Sequence, residues 1–353
     1  MIDFQRIAMD RRDFIKVTGS AAVVAGALPL SAGCRRKPEE KTVPVLPPVD
    51  PSRIARDVEA LPPLNVKEIH VKVGATKPFG VLHVSDTHIV RADDRDDEAK
   101  VALASRRVRG MTYGEHYLDE AIRYARDRGL YMMHTGDLYD FVSEANLDCC
   151  AAHMLAADWF VCTGNHEYSK YVGEAKEDEA YKADSREAVQ GAYPNDLTFA
   201  TRVIEGVNFV AMDDVYYNFT ERQHELMEAE MKKGLPVVML CHVPLYTPQA
   251  LADELRFTNG NCGYLTGVPE ELTSKYDPGV TYPPGQEWRY RKVQQHSDKP
   301  TLDFLAWLKE QPLLKAILCG HCHRYYEERF SGTAVLYAVD ATYHGGVQAV
   351  YFE

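Results

Sequence analysis

With 353 residues, 45% of them apolar and 26% charged, the chain can bury one large core or two small ones. Its formal net charge of −12 argues against a nucleic-acid groove or an anionic membrane surface as main partner. An acidic protein can still bind phosphate where metal ions supply the local positive charge.

Residues 1–33 read as an export signal rather than as part of the fold. Asp10-Arg11-Arg12-Asp13-Phe14-Ile15-Lys16 precedes an Ala- and Gly-rich apolar stretch, Val17–Gly33, too short and small-residued to span a membrane. The paired arginines followed by Phe-Ile-Lys resemble a bacterial twin-arginine signal, with Met9 a candidate start. Leu30-Ser31-Ala32-Gly33-Cys34 resembles a lipoprotein cleavage box whose leucine is displaced by one position, so lipidation of Cys34 and simple cleavage both fit. The expected partners are the twin-arginine export machinery and, through a lipid on Cys34, the membrane. The expected location is the periplasm or the outer face of the cell envelope. Residues 34–63 carry Pro38, Pro44, Pro47, Pro48, Pro51, Pro62 and Pro63 and read as an extended tether. One folded domain is expected over residues 64–353.

Short apolar runs then alternate with helical patterns. Phe79–Val84 predicts a strand leading into Asp86-Thr87-His88. Leu118, Ala121, Ile122 and Ala125 predict a helix within Arg106–Arg128. A strand at Tyr131–Met133 leads into Gly136-Asp137 and Asp140, and a helix over Leu147–Ala157 follows. Trp159–Val161 leads into Gly164-Asn165-His166-Glu167, and the charged stretch Ser169–Asp196 reads as a surface excursion. Strands at Val207–Met212 and Pro236–Leu240, separated by a helix over Glu221–Lys233, lead to Cys241-His242. Val243–Lys299, rich in Pro, Gly and Tyr, reads as an insertion forming a lid or binding loop. Lys315–Leu318 leads into Gly320-His321-Cys322-His323, and Ala334–Tyr351 reads as terminal β structure. The alternation predicts a layered α/β fold with helices outside, whose ligand sites lie beyond the carboxyl ends of the strands. All five polar clusters fall there.

Carboxylates, an amide and imidazoles at strand ends are the donor set of a two-metal hydrolytic site. Each cluster alone is weak, since Asp-x-His at a strand end is more often a turn than a ligand pair. In their fixed order, Asp-x-His, Gly-Asp-x-x-Asp, Gly-Asn-His-Glu, a lone histidine and Gly-His-x-His resemble the calcineurin-like metallophosphoesterase family over about residues 79–345. The resemblance implies a four-layer α/β/β/α sandwich of the metallophosphoesterase type. It implies one metal held by Asp86, His88 and His323, a second by Asn165, His242 and His321, and Asp137 as the bridge. Two divalent or transition ions follow, with manganese, iron, zinc and nickel all suited to mixed N/O ligands. The implied reaction is hydrolysis of a phosphomonoester or phosphodiester by a hydroxide activated between the ions. His166 is implied as the catalytic imidazole and Asp140 as the carboxylate that orients it, with Glu167 in a hydrogen-bonding role.

Two departures narrow the substrate. Phe141 stands where protein serine/threonine phosphatases carry an arginine, which favours a small-molecule phosphate ester over a phosphoprotein. Asp140 stands where purple acid phosphatases carry a metal-binding tyrosine, and the neighbouring Tyr139 would face the other way in an extended segment. Cys319-Gly320-His321-Cys322 also spells the active-site tetrapeptide of disulfide isomerases, giving a rival reading as a periplasmic thiol-disulfide oxidoreductase. Such a site needs a helix beginning at the motif to lower the thiol pKa, and the sequence after His323 offers none. A non-catalytic metal- or phosphate-binding protein is the third reading. Cys162, Cys241 and Cys319 read as buried small hydrophobes. His116, His134 and His344 are candidates to support the site or touch substrate, with ordinary surface or core histidines the simpler account. Tyr246, Tyr264, Tyr282, Trp288 and Tyr290, with Arg289 and Arg291, could wall a substrate or simply pack the insertion.

Overall fold

The computed structural model describes residues 61–172, 178–258, 264–273 and 297–353. The export signal, Cys34 and nearly all of the tether lie outside the described residues, as do Cys262, Tyr282, Trp288, Arg289, Tyr290 and Arg291. In chain order the elements are β1 (Asn65–Val71), β2 (Phe79–Val84), α1 (Glu98–Arg107), α2 (Gly114–Arg128), β3 (Tyr131–Thr135), α3 (Glu144–Ala156), β4 (Trp159–Cys162) and α4 (Glu179–Ala192). Then come β5 (Phe199–Ile204), β6 (Val207–Met212), α5 (Glu221–Met231), β7 (Val237–Leu240), α6 (Pro248–Phe257), α7 (Glu270–Thr273) and α8 (Lys299–Lys309). The chain closes with β8 (Leu314–Cys319), β9 (Tyr326–Arg329), β10 (Val335–Ala338), a 3-10 turn (Thr342–His344) and β11 (Gly346–Phe352).

The strands form two sheets, ordered β1-β11-β2-β3-β4 and β5-β6-β7-β8-β10-β9. Each is mainly parallel, with β11 antiparallel to β2, β5 to β6 and β9 to β10. Successive side chains of a strand point to opposite faces, and here both faces are apolar. Val81, Met133, Phe160, Phe209, Val238 and Leu318 share one buried cluster with members from both sheets, the seam between them. Their neighbours Leu82, Met132 and Val161 pack outward with Leu118, Ala121, Cys150 and Met154 of α2 and α3. On the far side Val210, Met239 and Ile317 pack with Met227 of α5 and Phe304 and Leu308 of α8. The layers are therefore α/β/β/α, the expected sandwich.

Capping explains where several helices begin. Ser143 accepts a hydrogen bond from Asn146 N at the start of α3, and Thr220 forms a reciprocal box with Gln223 at the start of α5. Three expectations need correction. The helical pattern over Arg106–Arg128 is two helices, α1 ending at Arg107 and α2 beginning at Gly114, with Gly110 and Thr112 among the poor helix formers between them. The charged excursion Ser169–Asp196 contains α4, whose Val189 and Ala192 join the buried cluster under the first sheet. The terminal β stretch is divided, with β10 in the second sheet and β11 in the first. Among the described residues no helix is long and apolar enough to cross a membrane.

Candidate metal centre

The site is assembled from the carboxyl ends of five strands. Asp86 and His88 follow β2, Asp137 follows β3, and Asn165 and His166 follow β4; His242 follows β7, and His321 and His323 follow β8. The two sheets are joined here by a backbone-to-side-chain hydrogen bond, His321 N donating to Asp86 Oδ2 at 2.8 Å. Five of these residues hold a left-handed backbone: Asp86 (φ 53°), His88 (48°), Asp137 (57°), His321 (66°) and His323 (48°). Such strain costs about 1–3 kcal/mol per residue and persists only where the surroundings enforce it.

Two triads of donor atoms result. His323 Nε2 lies 3.1 Å from Asp86 Oδ1 and 3.2 Å from His88 Nε2, with His88 Nε2 3.8 Å from the same Asp86 oxygen. His242 Nε2 lies 3.3 Å from Asp137 Oδ2 and 3.1 Å from His321 Nδ1. Asp137 Oδ2 is also 3.6 Å from His88 Nε2, so this one oxygen faces both triads. A bridge through both carboxylate oxygens is not what the geometry offers, because Asp137 Oδ1 accepts from His166 N at 2.9 Å.

The far side of each imidazole is also held, which fixes its near side. His242 Nδ1 donates to Thr135 O at 2.7 Å, leaving Nε2 facing a carboxylate, an arrangement that needs a proton or a cation between the two. His88 Nδ1 meets Asp140 Oδ1 at 3.0 Å, His323 Nδ1 meets the Tyr343 hydroxyl at 3.1 Å, and His321 Nε2 meets that of Tyr217 at 3.5 Å. Orienting partners of this kind accompany metal-ligating histidines. Asp86 Oδ1 and Asn165 Oδ1 are buried and accept no hydrogen bond. Acceptors converge on two points that call for cations, and the residues present fit a pair of metal ions.

The electrostatics agree. Burial alone would lower His88 and His242, but Asp140, Asp86 and Asp137 around the first and Asp137 and Asp86 around the second outweigh it, and both are pushed up to about 10. His321 is pushed down to about 3, by burial and then by His242. Burial would raise Asp86 and Asp137, yet the surrounding histidines hold both below the usual carboxylate range. The pocket attracts positive charge.

The motif glycines have a steric reason. A Cβ at Gly164 would stand 2.7 Å from Asp137 N, and one at Gly320 would stand 2.6 Å from Ser85 Cβ. Glu167 ties the same loops together, accepting from Gly164 N at 2.6 Å and from Asp137 N and Leu138 N at 2.7 Å each. Tyr139 does face away, its hydroxyl donating to Glu167 O at 3.0 Å.

His166 lies beside the triads, with Nδ1 2.6 Å from Asp140 O and 3.3 Å from Asp140 Oδ1. The buried Asp140 carboxylate is not reserved for His166. Arg107 forks onto it, Nε at 2.6 Å and Nη2 at 2.7 Å, while His88 takes the same Oδ1. Sequence reasoning missed Arg107, which arrives from the end of α1 with nothing in its local pattern to mark it. Tyr343 and Tyr217 were missed for the same reason. Of the other candidates, His134 supports the site loops through Thr87 Oγ1 and Gly136 N, both at 3.0 Å. His344 packs on Tyr343, and His116 lies against Tyr117 on α2. Tyr264 of the insertion brings its ring to 5.6 Å from that of His321, whereas Tyr246 packs among apolar residues.

The cysteine motif has the wrong setting for redox chemistry. Cys319 ends β8, Cys322 lies in the following loop, and neither is in a disulfide. Burial pushes both thiols well above their ordinary range, the reverse of an activated pair.

A two-sheet α/β sandwich with this donor set at its strand ends defines a metal-dependent phosphoesterase. Residues 79–350 match the family model described as calcineurin-like phosphoesterase, well over half of the chain, and the chain belongs to that family. It is a phosphoester hydrolase, and the family implies a dinuclear divalent-metal site. No curated protein matches the chain significantly. Among solved structures it is similar to a dimetal phosphatase from Danio rerio, with TM-score 0.44 and 13% identity over 75% of this chain and 88% of that one. It is also similar to a phosphopantetheinyl hydrolase from Mycobacterium tuberculosis, with TM-score 0.35 and 11% identity over 78% and 91%. A 5′-nucleotidase from Candida albicans gives TM-score 0.34 and 11% identity over 80% and 47%, so the chain spans about half of that protein's length.

Proposed function

We propose that this protein hydrolyses a small-molecule phosphate ester with two metal ions. Asp86, His88 and His323 would hold one ion, Asn165, His242 and His321 the other, and Asp137 Oδ2 would serve both. The observation that carries the reading is the convergence of acceptor atoms, with Asp86 Oδ1 and Asn165 Oδ1 left without hydrogen-bond donors. When bound, the ions supply Lewis-acid stabilisation of phosphate charge and an activated water. Asn165 contributes its oxygen without adding negative charge beside an incoming phosphate. His166 holds its Nδ1 proton against the Asp140 carbonyl, so Nε2 is the nitrogen that exchanges a proton with the leaving oxygen. Burial would lower this histidine, but Asp137 and Asp140 outweigh it and raise its pKa, favouring the proton-donating form.

Asp137→Asn should abolish hydrolysis of a chromogenic phosphate ester while the protein stays folded, and undiminished turnover would sink the mechanism. His166→Ala should keep both ions by elemental analysis while losing about 10²–10⁴-fold in rate. Loss of one ion instead would make His166 a ligand. The same elemental analysis on native protein would separate manganese, iron, zinc and nickel. We further propose export to the periplasm or the outer face of the envelope, on the strength of Arg11-Arg12 and the apolar stretch after them. A double Arg11→Lys, Arg12→Lys variant should then accumulate in the cytoplasm, and undisturbed export would refute that route.

A further inference from the structure

A second group of metal-ligating side chains lies between α2 and α3, on the outer face of the first sheet, and shares no residue with the centre above. Cys149 and His153 stand four residues apart on α3, and Glu115 and Asp119 four apart on α2, so each pair shares one side of its helix. His153 Nε2 lies 3.4 Å from Glu115 Oε1, and Cys149 Sγ lies 3.9 Å from the same oxygen. These three donor atoms all fall within 4.8 Å of one another. On the other side of the ring, His153 Nδ1 faces Asp119 Oδ1 at 3.9 Å. Cys149 is fully buried and His153 nearly so, whereas the Glu115 and Asp119 side chains keep 32% and 31% exposure.

We propose that Glu115, Cys149 and His153 form a third metal site, of the zinc class, with Asp119 orienting His153 and solvent completing the coordination. Zinc bonds of about 2.0–2.2 Å to nitrogen and oxygen and about 2.3 Å to sulfur give tetrahedral edges of about 3.4 Å for N···O and about 3.6 Å for S···O. The observed 3.4 and 3.9 Å sit near those edges. An N–H···O bond has its usual length near 2.9 Å, so the carboxylate and imidazole are spaced more like two ligands than like donor and acceptor. Thiolate with imidazole selects zinc-like ions over magnesium, calcium or manganese. The carboxylate on the far ring nitrogen is the arrangement that accompanies a zinc-bound histidine.

Charge accounting permits the ion despite a neighbouring cation. Arg91 Nη2 donates to both Glu115 oxygens, at 2.8 and 2.6 Å. With Cys149 as thiolate, a divalent ion and Arg91 together balance the charges of Cys149, Glu115 and Asp119, so the occupied site carries no net charge. The site would also stiffen the phosphoesterase centre. Arg91 lies three residues beyond His88, its N–H donates to Asn146 Oδ1 of α3 at 2.9 Å, and Asp140 N donates to Ile89 O at 3.0 Å.

Loading metal-free full-length chain with Co²⁺ tests the proposal with no readout of activity. The expected result is uptake of about three ions per chain and a near-ultraviolet thiolate-to-cobalt charge-transfer band, which only a cysteine-ligated ion produces. The band should survive in Cys322→Ser and in Asp137→Asn, and vanish in Cys149→Ser with one ion fewer per chain. Asp137→Asn keeps this outcome separate from the fate of the hydrolytic reading. Wild type that gives no band would overturn the third site, as would a band undiminished in Cys149→Ser. If Cys149→Ser does not fold, His153→Gln carries the same expectation, and the wild-type spectrum decides by itself.

Discussion

Replacing Gly164 by alanine should cost the centre its geometry without touching any donor atom. A Cβ there would stand 2.8 Å from Asp137 Cγ and 2.7 Å from Asp137 N. Carbon atoms in ordinary contact lie about 3.5–4.0 Å apart, so the Asp137 side chain must retreat by roughly 0.7 Å. The loops cannot simply part, because Glu167 accepts from Gly164 N and Asp137 N with one oxygen, at 2.6 and 2.7 Å. Nor does alanine add backbone strain, since Gly164 is not among the residues with positive φ. Sites tolerate about 0.5 Å of displacement, and 1 Å costs about 10²-fold in rate. The expected loss is therefore about 30- to 100-fold in kcat/KM, or about 2–3 kcal/mol of transition-state stabilisation. Overpacking should add about 1–3 kcal/mol of destabilisation. The assay is hydrolysis of a chromogenic phosphate ester, with metal content and urea denaturation measured on the same samples. Gly191→Ala in α4 is the control, because its Cβ would meet nothing within 4 Å. It should raise stability by about 0.5–1 kcal/mol and leave the rate alone. A Gly164→Ala enzyme within about threefold of wild type, with both ions retained, would refute the steric reasoning.

Arg107→Ala leaves the buried Asp140 carboxylate with only its histidine partners and should cost about 2 kcal/mol in urea denaturation, together with a loss of rate. Arg107→Lys should recover only part of both, because an ammonium cannot fork onto two oxygens. Thr220→Ala removes the capping box of α5 and should cost about 1 kcal/mol by thermal or urea denaturation, with kcat/KM unchanged. Burial pushes His83 down to about 4, against an ordinary 6.5, so the folded state refuses a proton that the unfolded chain accepts. This costs nothing above pH 6.5 and destabilises the fold by up to about 3 kcal/mol as the pH falls toward 4. His83→Gln in metal-free protein should flatten that part of the urea-midpoint profile, and an unchanged slope would contradict the assignment.

The parts of the fold legible in the sequence share a physical property. The strands readable as short apolar runs, such as Val207–Met212, are buried on both faces and need no polar alternation. The three that escaped, β1, β5 and β9, all lie at sheet edges. One flank of an edge strand sees solvent, and residues such as Lys67, Arg202 and Glu327 break the apolar run that would announce it. The fourth edge, β4, was legible because both its faces are covered, Trp159 and Val161 on the helical side and Phe160 and Cys162 against the second sheet, so all four are buried. The donor clusters were legible for a related reason. A strand that ends inside the protein on Asp, Asn or His has no structural use for those side chains, so their repetition at strand ends stands out.

What the sequence could not carry is adjacency made by the tertiary fold, and Arg107 is the consequential case. Beside Asp140 in the chain stands no arginine but Phe141, which is fully buried. Yet a guanidinium reaches that carboxylate from α1, through Nε and Nη2. That guanidinium is paired with Asp140, so it neutralises the buried carboxylate from a separate element of the fold. The division of the terminal β stretch acts in the same way. Crossing from the second sheet to the first between β10 and β11 places the 3-10 turn against the Asp86 loop, with Thr342 N donating to Ser85 O at 2.9 Å. That crossing carries Tyr343 to the outer nitrogen of His323, at 3.1 Å. The motifs supply the donor atoms, while groups 20, 33 and 235 residues away from their targets in the chain set the orientation and charge of those donors.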